Sequence, residues 1–112
     1  MKPTNFAYYL TNFLSRYLPG ILGLSQNTIM SYRDTFSLFL DYCSKNKNIK
    51  PEKVSLDHLD RKLIEEFLEW LEKTRKCITS TRNVRLAALH SFCRYLQMEC
   101  PDFIHPAQQI LS

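Results

Sequence analysis

Apolar residues along this chain recur at intervals of three and four, the spacing of helices that bury one face. Phe6, Tyr9, Leu10, Phe13, Leu14, Tyr17 and Leu18 form one wide apolar stripe, and Pro19-Gly20 is expected to stop that first helix. Ser25 reads as an N-cap for a second helix, which buries Ile29, Tyr32, Phe36, Phe39, Leu40 and Cys43. It is expected to run to about Lys45, ended by Lys45-Asn46-Lys47-Asn48 and Pro51. Ser55 or Asp57 is expected to open a third element, with Leu63, Ile64, Phe67, Leu68 and Leu71 turned inward. A fourth helix is expected to begin near Thr79-Ser80-Thr81, bury Val84, Ala88, Leu89, Phe92, Tyr95 and Leu96, and close at Pro101. The tail from Asp102 to Ser112 contains Pro106 and is expected to hold one short turn. Strand-like alternation and internal repeats are absent. The fold class is therefore all-α, a compact bundle of four to five helices in a single domain.

Length and composition narrow the classes. With 112 residues, 45% hydrophobic and 12% aromatic, the chain suits one proper core and excludes disorder, collagen and a complete large enzyme. Cys43, Cys77, Cys93 and Cys100 form no C-x-x-C pair and fit no zinc template, so they read as small thiols rather than metal ligands. No metal or cofactor is expected. The N-terminus lacks the pattern of a signal peptide, and the longest uncharged stretch, Tyr17 to Tyr32, is broken by Pro19, Gly20, Gly23, Gln26 and Asn27. A soluble cytoplasmic protein with no membrane partner is the expectation.

The net charge of +4 is mild, but its distribution is not. Residues 1–50 sum to +4, residues 51–72 to −4, residues 73–98 to +6 and the last fourteen to −2. On the third helix Glu65, Glu66, Glu69 and Glu72 lie opposite the apolar stripe, with Arg61 and Lys73 at i,i+4 spacing, as on a solvated face. The cationic block holds Lys73, Arg75, Lys76, Arg82, Arg85 and Arg94 with no carboxylate. On the fourth helix a polar stripe runs Asn83, Ala87, His90, Arg94, Gln97. Arg82 and Arg85 stand in the first turn, where the helix dipole opposes cations and welcomes an anionic partner. Thr79, Ser80 and Thr81 add donors there. The second helix begins with Ser25, Gln26, Asn27 and Thr28, and Gln26, Met30 and Arg33 fall just outside its buried stripe. Asn, Gln and Arg are the side chains that hold base edges through paired hydrogen bonds, while basic residues hold phosphates.

These two helix starts carry a family resemblance. The run Ser25-Gln26-Asn27-Thr28-Ile29-Met30-Ser31-Tyr32-Arg33, then Phe36 and Phe39-Leu40, resembles the S-x-x-T-i-x-x-Y helix of the core-binding, SAM-like domain of tyrosine recombinases (phage integrases). Ile64-Glu65-Glu66-Phe67-Leu68-Glu69-Trp70-Leu71 is similar to the family's i-x-x-F-l-x-x-L segment. Ser80-Thr81-Arg82-Asn83-Val84-Arg85-Leu86, with Leu89, Phe92 and Tyr95-Leu96, resembles its last core-binding helix, and His105-Pro106-Ala107 its N-P-a exit. The resemblance implies a module that clamps double-stranded DNA, alongside other recombinase protomers, during integration or excision. Carried onto this chain, the contact residues are Gln26, Asn27, Thr28 and Arg33, then Thr79, Thr81, Arg82, Asn83, Arg85, His90 and Arg94. Lys45, Lys47, Lys73, Arg75 and Lys76 are looser phosphate contacts. Residues 1–100 would be the core-binding domain, and residues 101–112 a linker toward an absent catalytic domain. The isolated fragment would be monomeric.

No catalytic residue is assigned. His58-Leu59-Asp60-Arg61 and Tyr95 imitate the family's H-x-x-R motif and tyrosine nucleophile, but they fall in and beyond a net-negative segment unsuited to a scissile phosphate. The remaining tyrosines, Tyr8, Tyr9, Tyr17, Tyr32 and Tyr42, are placed mostly on buried faces. The chain thus reads as the front of a longer enzyme. Two competing classes are a helical protein-interaction module using the polarised faces, and a helix-turn-helix repressor, for which no short recognition pair stands out.

Overall fold

A computed structural model of the chain describes residues 2–112. Among these residues there is no strand. The five α-helices are α1 (Asn5–Asn12), α2 (Gln26–Lys47), α3 (Arg61–Lys73), α4 (Thr79–Glu99) and α5 (Ile104–Leu111). The helices divide between two compact units, the first ending at Leu56 and the second beginning at Asp57.

In the first unit, Thr4 caps α1: its hydroxyl accepts from the Ala7 N–H at 3.1 Å and donates to the Val54 carbonyl at 2.6 Å. Asn5 Oδ1 accepts from the Leu56 N–H at 2.9 Å, so both ends of the unit are stitched together. Pro19-Gly20 does not stop the first helix, contrary to expectation. The chain continues past Asn12 in a wider, π-type helix over Phe13–Ile21, with Pro19 inside it. Such a turn moves the acceptor carbonyl away from the proline ring, and the missing N–H forfeits a single bond. The Leu22 N–H reaches back five residues to Tyr17, and the Leu24 N–H six to Leu18. The stop comes at Gly23, whose φ of +62° suits glycine. The stripes on these segments and α2 meet as aromatic pairs: Phe6 with Phe39, Phe13 with Tyr32, and Phe13 edge-on to Phe36, centroids 6.0–6.3 Å apart. Ser25 caps α2 as expected, accepting from the Thr28 N–H. Helix α2 runs two residues beyond Lys45 and ends on Asn48 in the left-handed conformation, where the Ile49 N–H bonds the Cys43 carbonyl.

In the second unit, neither Ser55 nor Asp57 caps the third helix. A 3₁₀ turn, Leu56–His58, intervenes, and Asp60 takes the cap by accepting from the Leu63 N–H at 2.8 Å. Helix α3 buries Leu63, Ile64, Phe67, Leu68, Trp70 and Leu71. It closes through Lys76, at φ 54°, with the Cys77 N–H bonded to the Leu71 carbonyl. Helix α4 buries Ala88, Leu89, Phe92, Cys93, Tyr95 and Leu96. Val84, expected inside, is 46% exposed: it extends the Ala88 meridian one turn beyond the covered part of the helix. After Pro101, the expected short turn is a full helix, α5, packed on α4. Phe103, Ala107 and Ile110 recur at helical spacing and are buried, and Pro106 stands in the first turn, where its missing N–H costs nothing. Tyr42 is buried, but Tyr8 is 56% exposed and belongs to no core. Among the described residues no helix is long and apolar enough to cross a membrane.

Candidate nucleic-acid interface

The sequence-predicted contacts fall into two sets, one on each unit. In the first, Gln26 and Asn27 are exposed in the first turn of α2, beside N–H groups that helix geometry leaves without intrahelical acceptors. Thr28 is half-buried, and its hydroxyl lies 3.0 Å from the Ser25 hydroxyl, so it supports the cap as well as the surface. Arg33, two turns on, is exposed at the edge of a groove of about 310 Å³ lined by Leu10, Leu14, Phe36 and Leu40. Lys45 and Lys47 do not join this cluster. At 1.5 Å per residue they sit about 28–32 Å along α2 from Gln26, and Lys45 is paired with Asp41 at 3.2 Å.

The second set is denser. Thr79 and Asn83 are exposed, and Thr81, Arg82, Arg85 and His90 are half-buried. Arg94 is exposed one turn beyond His90. Ala87 is exposed between Asn83 and His90, leaving a shallow stretch along the stripe. The residue before α4 is Ile78, which offers no side-chain cap, whereas Thr4, Ser25 and Asp60 each cap their helices. His90 borders a cleft of about 200 Å³ together with Arg61, Glu65, Arg82 and Leu86. Its burial, and secondarily the Arg94 charge, push its pKa below the usual histidine value, so at neutral pH it is an uncharged donor and acceptor.

Two of the looser phosphate residues, Lys73 and Arg75, are more committed than their sequence suggests. Lys73 is bound to Glu69 one turn back, and that contact raises the lysine pKa while lowering the glutamate's. The Arg75 guanidinium lies over the Trp70 ring, 5.6 Å from its centroid. Lys76 is exposed in the left-handed conformation in the turn after α3. One participant escaped sequence inspection. Glu72, at the end of α3, pairs with Arg82 in the first turn of α4, Oε1 to Nε at 2.5 Å. The signal was available: two helices joined by a five-residue turn bring the last turn of one beside the first turn of the next. The anionic partner expected beside Arg82 thus exists within the chain.

Comparison with known proteins places these observations. Residues 11–99 match the family described as phage integrase, N-terminal SAM-like domain. Two proteins of Sinorhizobium fredii are similar over nearly the whole chain. "Putative integrase/recombinase y4rC" is 33% identical over 111 residues, covering 99% of this chain and 33% of the relative. "Putative integrase/recombinase y4rD" is 33% identical over 103 residues, covering 92% of this chain and 37% of the relative. The chain therefore spans about a third of the length of the curated relatives it matches. No solved structure matches it significantly. With an all-α fold, two donor-rich helix starts and a family match across most of its length, the chain belongs to the phage integrase family, as its N-terminal SAM-like domain.

Proposed function

We propose that this chain is the DNA-gripping module of a site-specific tyrosine recombinase, acting in the cytoplasm beside other protomers of the enzyme on a recombination site. The observation that carries the proposal is the outward face of α4. Thr79, Asn83, His90 and Arg94 line it, within a block from residue 73 to 98 that has six basic residues and no carboxylate. Arginine and lysine supply sequence-independent grip on phosphates, and Asn, Gln and Arg supply base-edge contacts. The start of α2, with Gln26, Asn27 and Arg33, is the second contact surface. On this proposal, strand cleavage is the work of a separate catalytic part of the enzyme, as the family resemblance implies. Residues 101–112 then lead toward that part.

Titration with duplex DNA at two salt concentrations, read by amide chemical-shift mapping, tests this. Shifts should gather on the starts of α2 and α4 and along the Asn83–Arg94 stripe, and log K should fall with log salt by about 0.9 per phosphate contact. Shifts confined to the acidic face of α3, or binding indifferent to salt, would refute the proposal and favour a protein-interaction module.

A further inference from the structure

The six cations of residues 73–98 are unequal in their surroundings. Lys73 is held by Glu69 within its own helix and Arg75 by the Trp70 ring. Arg82 is held from a different helix: Glu72 Oε1 takes its Nε, with the arginine side chain 33% exposed and the glutamate 47%. A guanidinium is a planar fork of five donors, and a carboxylate on Nε leaves the Nη donors to other partners. Of these, Nη1 donates to Oδ1 of the exposed Asn83 in a long, 3.5 Å bond that a base edge can replace, and Ala87 keeps the surface low one turn further on. A cation already matched by a carboxylate releases few counterions on meeting a phosphate, and the carboxylate itself repels that phosphate. The same pairing fixes the fork in one orientation, which is what bidentate recognition of guanine O6 and N7 requires.

The geometry points to Glu72 as a positioning residue that sets Arg82 to read a guanine edge in the major groove rather than to clamp a phosphate. This rests on the DNA-gripping proposal and assigns a specificity role within it. Glu72 lends the site selectivity at a cost in bulk affinity.

The test is selection from a pool of random-sequence duplexes, with a salt titration on one duplex, using the 112-residue chain and its variants. The wild type should enrich a guanine at a defined position by about five-fold or more. Arg82→Ala, Arg82→Lys (which lacks the fork) and Glu72→Ala should each lose that preference. Glu72→Gln should keep it, since the amide oxygen still accepts from Nε, and should steepen the salt dependence by exposing the arginine charge. Arg82→Ala should leave the salt slope nearly unchanged, whereas Arg94→Ala should flatten it by about 0.9. If Arg82→Ala flattens the slope as much as Arg94→Ala, or if Glu72→Ala preserves the guanine, the assignment is wrong. A wild type that binds DNA in a salt-dependent way without sequence preference also overturns the assignment, but leaves the gripping role standing. A wild type that does not bind duplex DNA overturns both.

Discussion

Replacing Thr4 should loosen the first unit far more than its place near the start of the chain suggests. Its hydroxyl does two jobs at once, accepting from the Ala7 N–H as the cap of α1 and donating to the carbonyl of the fully buried Val54. Losing a threonine cap costs about 1 kcal/mol. Stripping a buried carbonyl of its donor adds about 1–3 kcal/mol. Thr4→Ala should therefore cost about 2–4 kcal/mol, a large share of the roughly 5–15 kcal/mol that stabilises a typical domain. With a urea slope of about 2 kcal/mol per molar, the middle of the usual range, the unfolding midpoint followed by circular dichroism should fall by about 1–2 M. Thr4→Ser keeps the hydroxyl and should recover most of the loss. A cost for Thr4→Ala below about 0.5 kcal/mol, the range of an ordinary surface change, would refute the double role. So would a serine variant as unstable as the alanine.

Three further outcomes follow from the packing. Burial and Arg94 hold the His90 pKa below its unfolded value, so the unfolded chain takes up the proton first. Stability should be full above about pH 6.5 and decline as pH falls toward the folded pKa, and thermal melts of His90→Gln should show a smaller decline. Burial raises the Cys43 thiol to about 11 and the Cys93 thiol to about 12, so iodoacetamide at mildly alkaline pH should modify the half-buried Cys77 and Cys100 in the native protein. Mass mapping should find Cys43 and Cys93 labelled only after unfolding. Gly23→Ala meets no neighbouring atom but inherits a φ of +62°, and should cost about 1–2 kcal/mol by chemical denaturation.

Most of the helical framework was legible because apolar spacing reports burial directly: the inward faces of α3, of α4 from Ala88 onward and of α2, except the half-buried Tyr32 and Leu40, lie where periodicity places them. What was not legible has local causes. Pro19 signals a break only if the helix is assumed to keep α geometry, and a widened turn removes that premise. Asp60 outcompeted Ser55 and Asp57 as a cap because a 3₁₀ turn takes up the residues before it, which periodicity does not register. In the tail, Pro106 weighed against a helix although the first turn tolerates it, while Phe103, Ala107 and Ile110 quietly carried the period. On the candidate interface, residue types and order were readable from sequence, and the five-residue turn between α3 and α4 brings Glu72 near Arg82, but the atom-to-atom pairing also depends on the angle between the two helices.

Lys76 brings a last consequence into view. A lysine at φ 54° costs about 1–2 kcal/mol that a glycine there would not incur, yet the chain, which contains just two glycines, turns this corner with a cation. Lys76→Gly should thus raise the melting temperature while it removes a positive charge next to the start of α4. A single substitution would then set robustness against the proposed grip, making this corner a place where the exchange between stability and binding can be measured. Under the proposed DNA-gripping role, a variant chosen for thermal endurance alone would drift toward glycine there and become sturdier but poorer at holding DNA.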